Sequence, residues 1–158
     1  QEWNFDTGLE WSALDYHLHG GLKRLVRDLN LVYRAEPALY ENDFDWSGFS
    51  WIDANDSDNS VLSFVRRALN PEERIVIVCN FTPVVRHGYR IGVEDSGPFE
   101  ELINTDKGIY GGTGQHVNHH LESEPVPCHG MEHSLLLTLP PLATVMLRPQ
   151  KRHATENG

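Results

Sequence analysis

Between Arg74 and Thr82 the chain reads Arg-Ile-Val-Ile-Val-Cys-Asn-Phe-Thr, and the five apolar residues Ile75 to Cys79 follow one another without a polar break. Such a run is hidden from water only when both faces of a strand are covered, which predicts a central strand. Ser60-Val-Leu-Ser-Phe-Val65 before it and Tyr89-Arg-Ile-Gly-Val93 after it alternate at period two, so the expected kernel is a three-strand meander. Asn70-Pro71 and Pro83 supply the turns. The same pattern predicts strands at Phe49 to Asp53, Phe99 to Ile103, Ser134 to Leu139 and Ala143 to Leu147, the last two separated by Pro140-Pro141. Seven short strands at close spacing imply an antiparallel β-sandwich in a mainly β chain.

A period near 3.6 appears once. Leu22, Leu25, Val26, Leu29, Val32 and Tyr33 form a stripe, with Lys23, Arg24, Arg27, Asp28 and Arg34 opposite, so a helix is expected from Leu22 to Arg34, ended by Pro37. Gly20-Gly21 reads as a break before it, and residues 8–14, with a Ser12/Asp15 capping pair, read as a short helical turn. Tyr40 to Trp51 is dense in aromatic and acidic residues and reads as a linker packed across a surface. A boundary therefore falls between residues 37 and 48. The segment from Ile103 to about His133 is expected to be a long loop, and Gln150 to Gly158 a frayed tail.

With 158 residues there is room for one domain of ordinary size or a small domain with an appendage. A net charge of −10 repels phosphate backbones and anionic bilayers, so neither nucleic acid nor membrane is an expected partner. No segment approaches the length of a membrane span, and the N-terminal residues lack the layout of a signal peptide. Cys79 and Cys128 do not make a disulfide framework, and two free thiols fit a cytoplasmic protein. Gln1-Glu-Trp-Asn-Phe5 has no initiator Met and looks like a cut inside a larger protein.

Candidate chemistry is sparse. Asp53 to Asn59 places oxygen side chains at alternate positions like a calcium loop, but Asp58 stands at the glycine position and Phe64 at that of the bidentate Glu, so a solvated turn is expected. His116, His119, His120, Cys128, His129 and His133 are metal-ligand types, yet without C-x-x-C or helical H-x-x-x-H spacing they read as a surface loop; no metal or cofactor is expected. Gly111-Gly-Thr-Gly114 follows no βα unit and so makes no phosphate loop. The Asn80-Phe-Thr82 and Asn55-Asp-Ser57 triplets are chance glycosylation matches. Trp3, Trp11, Trp46 and Trp51 are stacking surfaces for sugars or, by default, core residues.

The ordered segments Gln1-Glu-Trp, Gly21 to Asn30, Tyr33 to Leu39, Phe49-Ser-Trp-Ile-Asp53, Ser60 to Phe64, Cys79-Asn-Phe-Thr-Pro83, Arg86 to Gly92, Leu102-Ile-Asn-Thr-Asp106 and Pro125 to Gly130 resemble the C-terminal end of bacterial 1,4-α-glucan branching enzymes, up to Pro149. The resemblance implies residues 1–37 as the end of a (β/α)₈ catalytic barrel, 38–149 as an α-amylase-type C-terminal all-β domain and 150–158 as a tail. It implies an α-glucan partner and a glycosyltransferase that cuts an α-1,4 link and moves the chain to a 6-hydroxyl, with all three catalytic carboxylates lying before Gln1. Glu2 and Trp3, at the end of the last barrel strand, are the substrate-lining candidates. Leu22, Leu25, Val26, Leu29 and Tyr33 would face the missing barrel, or self-associate without it. His116, His119, His120 and Cys128 depart from the family pattern. A free-standing carbohydrate-binding sandwich is the alternative.

Overall fold

The computed structural model describes residues 4–150. The seven expected strands are present, and an eighth of two residues joins them: β1 Phe49–Asp56, β2 Val61–Arg67, β3 Arg74–Asn80, β4 Arg86–Val93, β5 Pro98–Asn104, β6 Leu121–Glu122, β7 His133–Leu139 and β8 Ala143–Pro149. All pairings are antiparallel. Six strands form one sheet in the order β1-β2-β3-β8-β5-β6, and β4 pairs with β7 in a second.

Alternation decides how the layers meet. Val61, Val65, Val76, Val78, Val145 and Leu147 from the large sheet pack against Ile91, Val93, Leu135, Leu137 and Leu139 from the small one, giving the sandwich core. The opposite face of the large sheet carries a second cluster, Ile75 and Ile77 with Ala38 and Ala68, flanked by Phe64, Cys79, Leu102 and Met146. The central strand is thus apolar on both sides because each side is covered: Ile75 to Val78 are at most 5 % exposed. Phe81, just past its end, is 60 % exposed and belongs to no core.

Three expectations are corrected. The meander does not form, because β4 leaves β3 and enters the other sheet, while β8 takes the place beside β3. Asn80 explains the departure. Its side chain donates to the carbonyls of Val84 and Pro140, both at 2.8 Å, and accepts from the Thr82 amide at 3.0 Å and hydroxyl at 2.8 Å. The chain after β3 is thereby bent beside the Pro140 turn, and β4 starts in the second layer. The 40–51 linker is not packed down either: Phe44 and Trp46 are fully or almost fully exposed.

The third correction concerns the helix. α1 spans His17–Ala35 and runs straight through Gly20-Gly21. Gly21 is buried because the helix touches a neighbouring turn: a Cβ there would lie 2.4 Å from the Tyr110 carbonyl oxygen. These glycines permit close approach and do not break the helix. Pro37 opens a 3₁₀ turn, Pro37–Leu39, after the helix ends. The lead-in does form a 3₁₀ turn, Trp11–Asp15, but without a side-chain cap; Ser12 donates to Glu10 instead.

Candidate functional site

Two features open to a partner lie on the side of the large sheet away from the sandwich core. There, α1 rests on the Gly108–Tyr110 turn, and the Leu102-Ile-Asn-Thr-Asp106 segment shapes that turn from below. Asn104 donates to the His116 carbonyl at 2.8 Å and accepts from the Asp106 amide at 3.0 Å. The buried Asp106 carboxylate accepts from the amide and hydroxyl of Thr113. The turn so held reaches the helix twice: Arg24 Nε donates to the Ile109 carbonyl at 2.8 Å, and the Tyr110 hydroxyl donates to Asp28 Oδ2 at 2.9 Å. Burial and then the Asp28 contact push the Tyr110 hydroxyl up to about 12, while hydrogen bonds from Arg27 and Tyr110 hold the Asp28 carboxyl below its ordinary value. At its other end the helix is tied by Arg148 of β8, which pairs with both Glu36 and Glu100.

This docking divides the predicted stripe. Leu25 and Leu29 are half-buried toward the chain's own turn, whereas Leu18, Leu22, Val26, Leu31 and Tyr33 are between 49 and 66 % exposed. One more residue continues this surface, since the Tyr33 ring packs on Tyr40 at 5.6 Å. Lys23, Arg27 and Arg34 flank the exposed face and, with Val26, Leu31 and Tyr33, line a shallow groove. Leu18, Leu22, Val26 and Tyr33 share one side of the helix, and a contiguous exposed apolar face is the pattern that interaction surfaces present.

A second feature is aromatic. Trp51 in β1 stands opposite Phe64 in β2, and Phe49 lies two residues before Trp51, on the same face. Their ring centroids are 5.0 to 5.8 Å apart, and Trp51 keeps 52 % of its surface open. Trp11 and Trp46 are also largely exposed, so none of these three tryptophans is the core residue that isolated tryptophans usually are. The period-two spacing of Phe49 and Trp51 was readable as one face of a strand; that the face is open was not.

Glu2 and Trp3, the substrate-lining candidates, lie outside the described residues. The His/Cys set is dispersed rather than gathered. The His116 ring meets His87 edge-on at 5.9 Å, His129 Nδ1 accepts from the Gly92 amide at 3.1 Å with Nε2 3.6 Å from Asp53, and His119 and His120 are exposed. No group of three His, Cys, Asp or Glu side chains converges as a metal site among the described residues. The Asp53 to Asn59 turn spends its carboxylates inwardly: Asp56 accepts from Asn59 and, at 2.6 Å, from the Tyr89 hydroxyl, and Asp53 accepts from the Asn55 amide.

The two-sheet antiparallel sandwich falls in the part of the chain, residues 51–150, that matches the family model of the alpha amylase, C-terminal all-beta domain. The chain belongs to that family. It is 53 % identical over 150 residues to a 1,4-alpha-glucan branching enzyme GlgB of Rubrobacter xylanophilus, an alignment covering 95 % of this chain and 21 % of that protein. The corresponding enzyme of Cereibacter sphaeroides is 52 % identical over 94 % of the chain, and that of Aquifex aeolicus 47 % over 94 %. The chain spans 20 to 24 % of the length of these relatives. Among the described residues, no helix is long and apolar enough to cross a membrane.

Proposed function

We propose that this chain is the C-terminal part of a 1,4-α-glucan branching enzyme, a cytoplasmic glycosyltransferase that forms α-1,6 branches in glycogen. The observation that carries the reading is the identity of about half the residues, along almost the whole chain, to proteins bearing that name. In this reading residues 1–37 finish the catalytic barrel, 38–149 form its β-domain, and 150–158 are a tail. Glu2 and Trp3 line the glucan cleft. The exposed face of α1, Leu18, Leu22, Val26 and Tyr33, covers the barrel, and its apolar surface with cations at the edge asks for an apolar partner with an acidic rim.

Retaining glycosyl transfer needs two carboxylates about 5 Å apart, and the resemblance puts the reacting set before Gln1, so the chain positions and completes a site it does not itself contain. The ledge of Phe49, Trp51 and Phe64 gives this domain a face on which pyranose rings stack. A chimera tests the reading: the matching segment of the Rubrobacter enzyme is replaced by this chain, and amylose is followed by iodine absorbance and by the short chains released on debranching. The chimera should branch amylose while the 158-residue chain alone does not. A folded chimera without branching, or activity in the chain alone above a heat-killed control, would overturn it.

A further inference from the structure

We propose a second α-glucan contact on the β-domain, centred on Phe81 and separate from the Trp51 ledge; it rests on the reading that the parent enzyme works on α-glucan. Phe81 is an aromatic ring held out in water by a rigid backbone. The buried Asn80 fixes the bend on one side through its four hydrogen bonds, and the Phe81 amide donates to the Ser60 carbonyl at 3.0 Å on the other. An aromatic side chain on a fixed backbone has only two torsions of its own to order on binding, which suits it to stacking.

The ring is a ridge between two hollows. On one side the hollow measures about 430 Å³ and is lined by Ala54, Asn55, Asp56, Ser57, Leu62 and Phe81. On the other lies a smaller one of about 110 Å³, between Phe81, Leu142 and Thr144. Each hollow offers an apolar wall beside hydroxyl or amide groups, which is the pattern a pyranose presents in return: an apolar ring face with hydroxyls at its rim.

Charge narrows the choice of ligand. Asp56 borders the larger hollow and the chain carries −10, so anions are repelled. The Asp56 carboxylate is already engaged by Tyr89 and Asn59, and among the described residues no carboxylate cluster gathers there for a cation. A neutral polyhydroxylated ligand remains. Phe81 follows Cys79 at period two and so faces the same side as Phe64 and Trp51. At about 3.3 Å per residue along β3 and about 4.8 Å between strands, the two aromatic points are roughly 16 Å apart, a span of several glucose units.

The test is a titration of the 158-residue chain with maltoheptaose, read from backbone amide shifts. Amides of residues 55–62 and 79–82 should move, and Phe81→Ala should weaken the affinity read from them about five-fold, the loss of one aromatic contact, leaving the shifts near Trp51 in place. Because Phe81 is 60 % exposed the variant keeps the core, and Phe81→Trp should retain or tighten binding. Shifts confined to Phe49, Trp51 and Phe64, or Phe81→Ala binding like the parent chain, would overturn the Phe81 contact and leave the branching reading intact. A chain whose amides do not respond anywhere would overturn it too, while the chimera assay decides the branching reading independently.

Discussion

Asn80 does more for this fold than its size implies. It is 2 % exposed, and truncation would remove its hydrogen bonds to Val84, Pro140 and Thr82. Removing it leaves the buried Pro140 carbonyl and the part-buried Val84 carbonyl and Thr82 amide without this partner, at about 1–3 kcal/mol for a buried group left unpaired. Asn80→Ala should therefore cost about 3 kcal/mol or more in urea unfolding, and Asn80→Asp should cost a comparable amount because a carboxylate cannot donate to Val84 and Pro140. Asp56 makes a pH-dependent contribution. Burial opposes its charge, but hydrogen bonds from Tyr89 and Asn59 prevail and hold it below its ordinary value. A depressed folded pKa means that the stabilisation is present above the unfolded value near 3.8 and is lost as pH falls through the folded one. The stability gap between the parent chain and Asp56→Asn should accordingly be widest at neutral pH and close below pH 3.8, as followed by thermal melts across that range.

At the scale of elements, α1 is held by a few polar contacts and one close approach rather than by a deep apolar seam. Gly21→Ala would drive a methyl into the Tyr110 carbonyl, so the helix must shift away from the Gly108–Tyr110 turn. We expect amide exchange in residues 17–35 to quicken at least ten-fold in that variant, with β3 and β8 unchanged, since a ten-fold change reflects only about 1.4 kcal/mol. The exposed face has a different consequence. Burying a Leu or Val side chain is worth about 1.5–3 kcal/mol, so a chain with Leu18, Leu22 and Val26 in water gains by covering them with a second copy. Leu22→Glu with Val26→Glu should make the isolated chain more monomeric in sedimentation across a concentration series. Leu25 and Leu29 are the wrong pair for this purpose, because they are half-buried against the chain itself and their replacement would loosen the helix.

For the whole molecule, charge and burial are unevenly shared. α1 carries Lys23, Arg24, Arg27 and Arg34 against one acid, Asp28, while the chain as a whole has net charge −10, so the basic apolar helix sits on an acidic sandwich. The two sheets share one core, and Arg67 and Arg74 of the large sheet pair with Glu94 at the end of β4, tying the layers at their edge. Burial pushes Asp95 beside them above its ordinary value. A raised carboxylate gives the opposite sign from Asp56: its folded form holds the proton longer, and its charge weighs against folding as pH rises through the folded pKa. Asp95→Asn should then stabilise the chain at neutral pH, a gain visible as a higher melting temperature and absent at pH 3.

The sequence by itself determined the strands, the helix and the family. Period two in Val61 to Val65 and Leu135 to Leu139, the unbroken run at Ile75 and the 3.6-residue stripe after Gly21 are local signals, set by which side of the backbone each residue occupies. The ordered motifs from Gly21-Leu-Lys-Arg to Leu102-Ile-Asn-Thr-Asp106 carried the family resemblance. What only the tertiary structure decided is which strands are neighbours and which apolar faces remain open. Pairing of β3 with β8 rather than β4 depends on hydrogen bonds from Asn80 to residues as distant as Pro140, and Gly21 reads as a helix breaker until the Tyr110 carbonyl is seen against it. Phe49, Trp51 and Phe81 are residues of core type; that they stay exposed among the described residues is a property of the assembled sheet that no local pattern encodes.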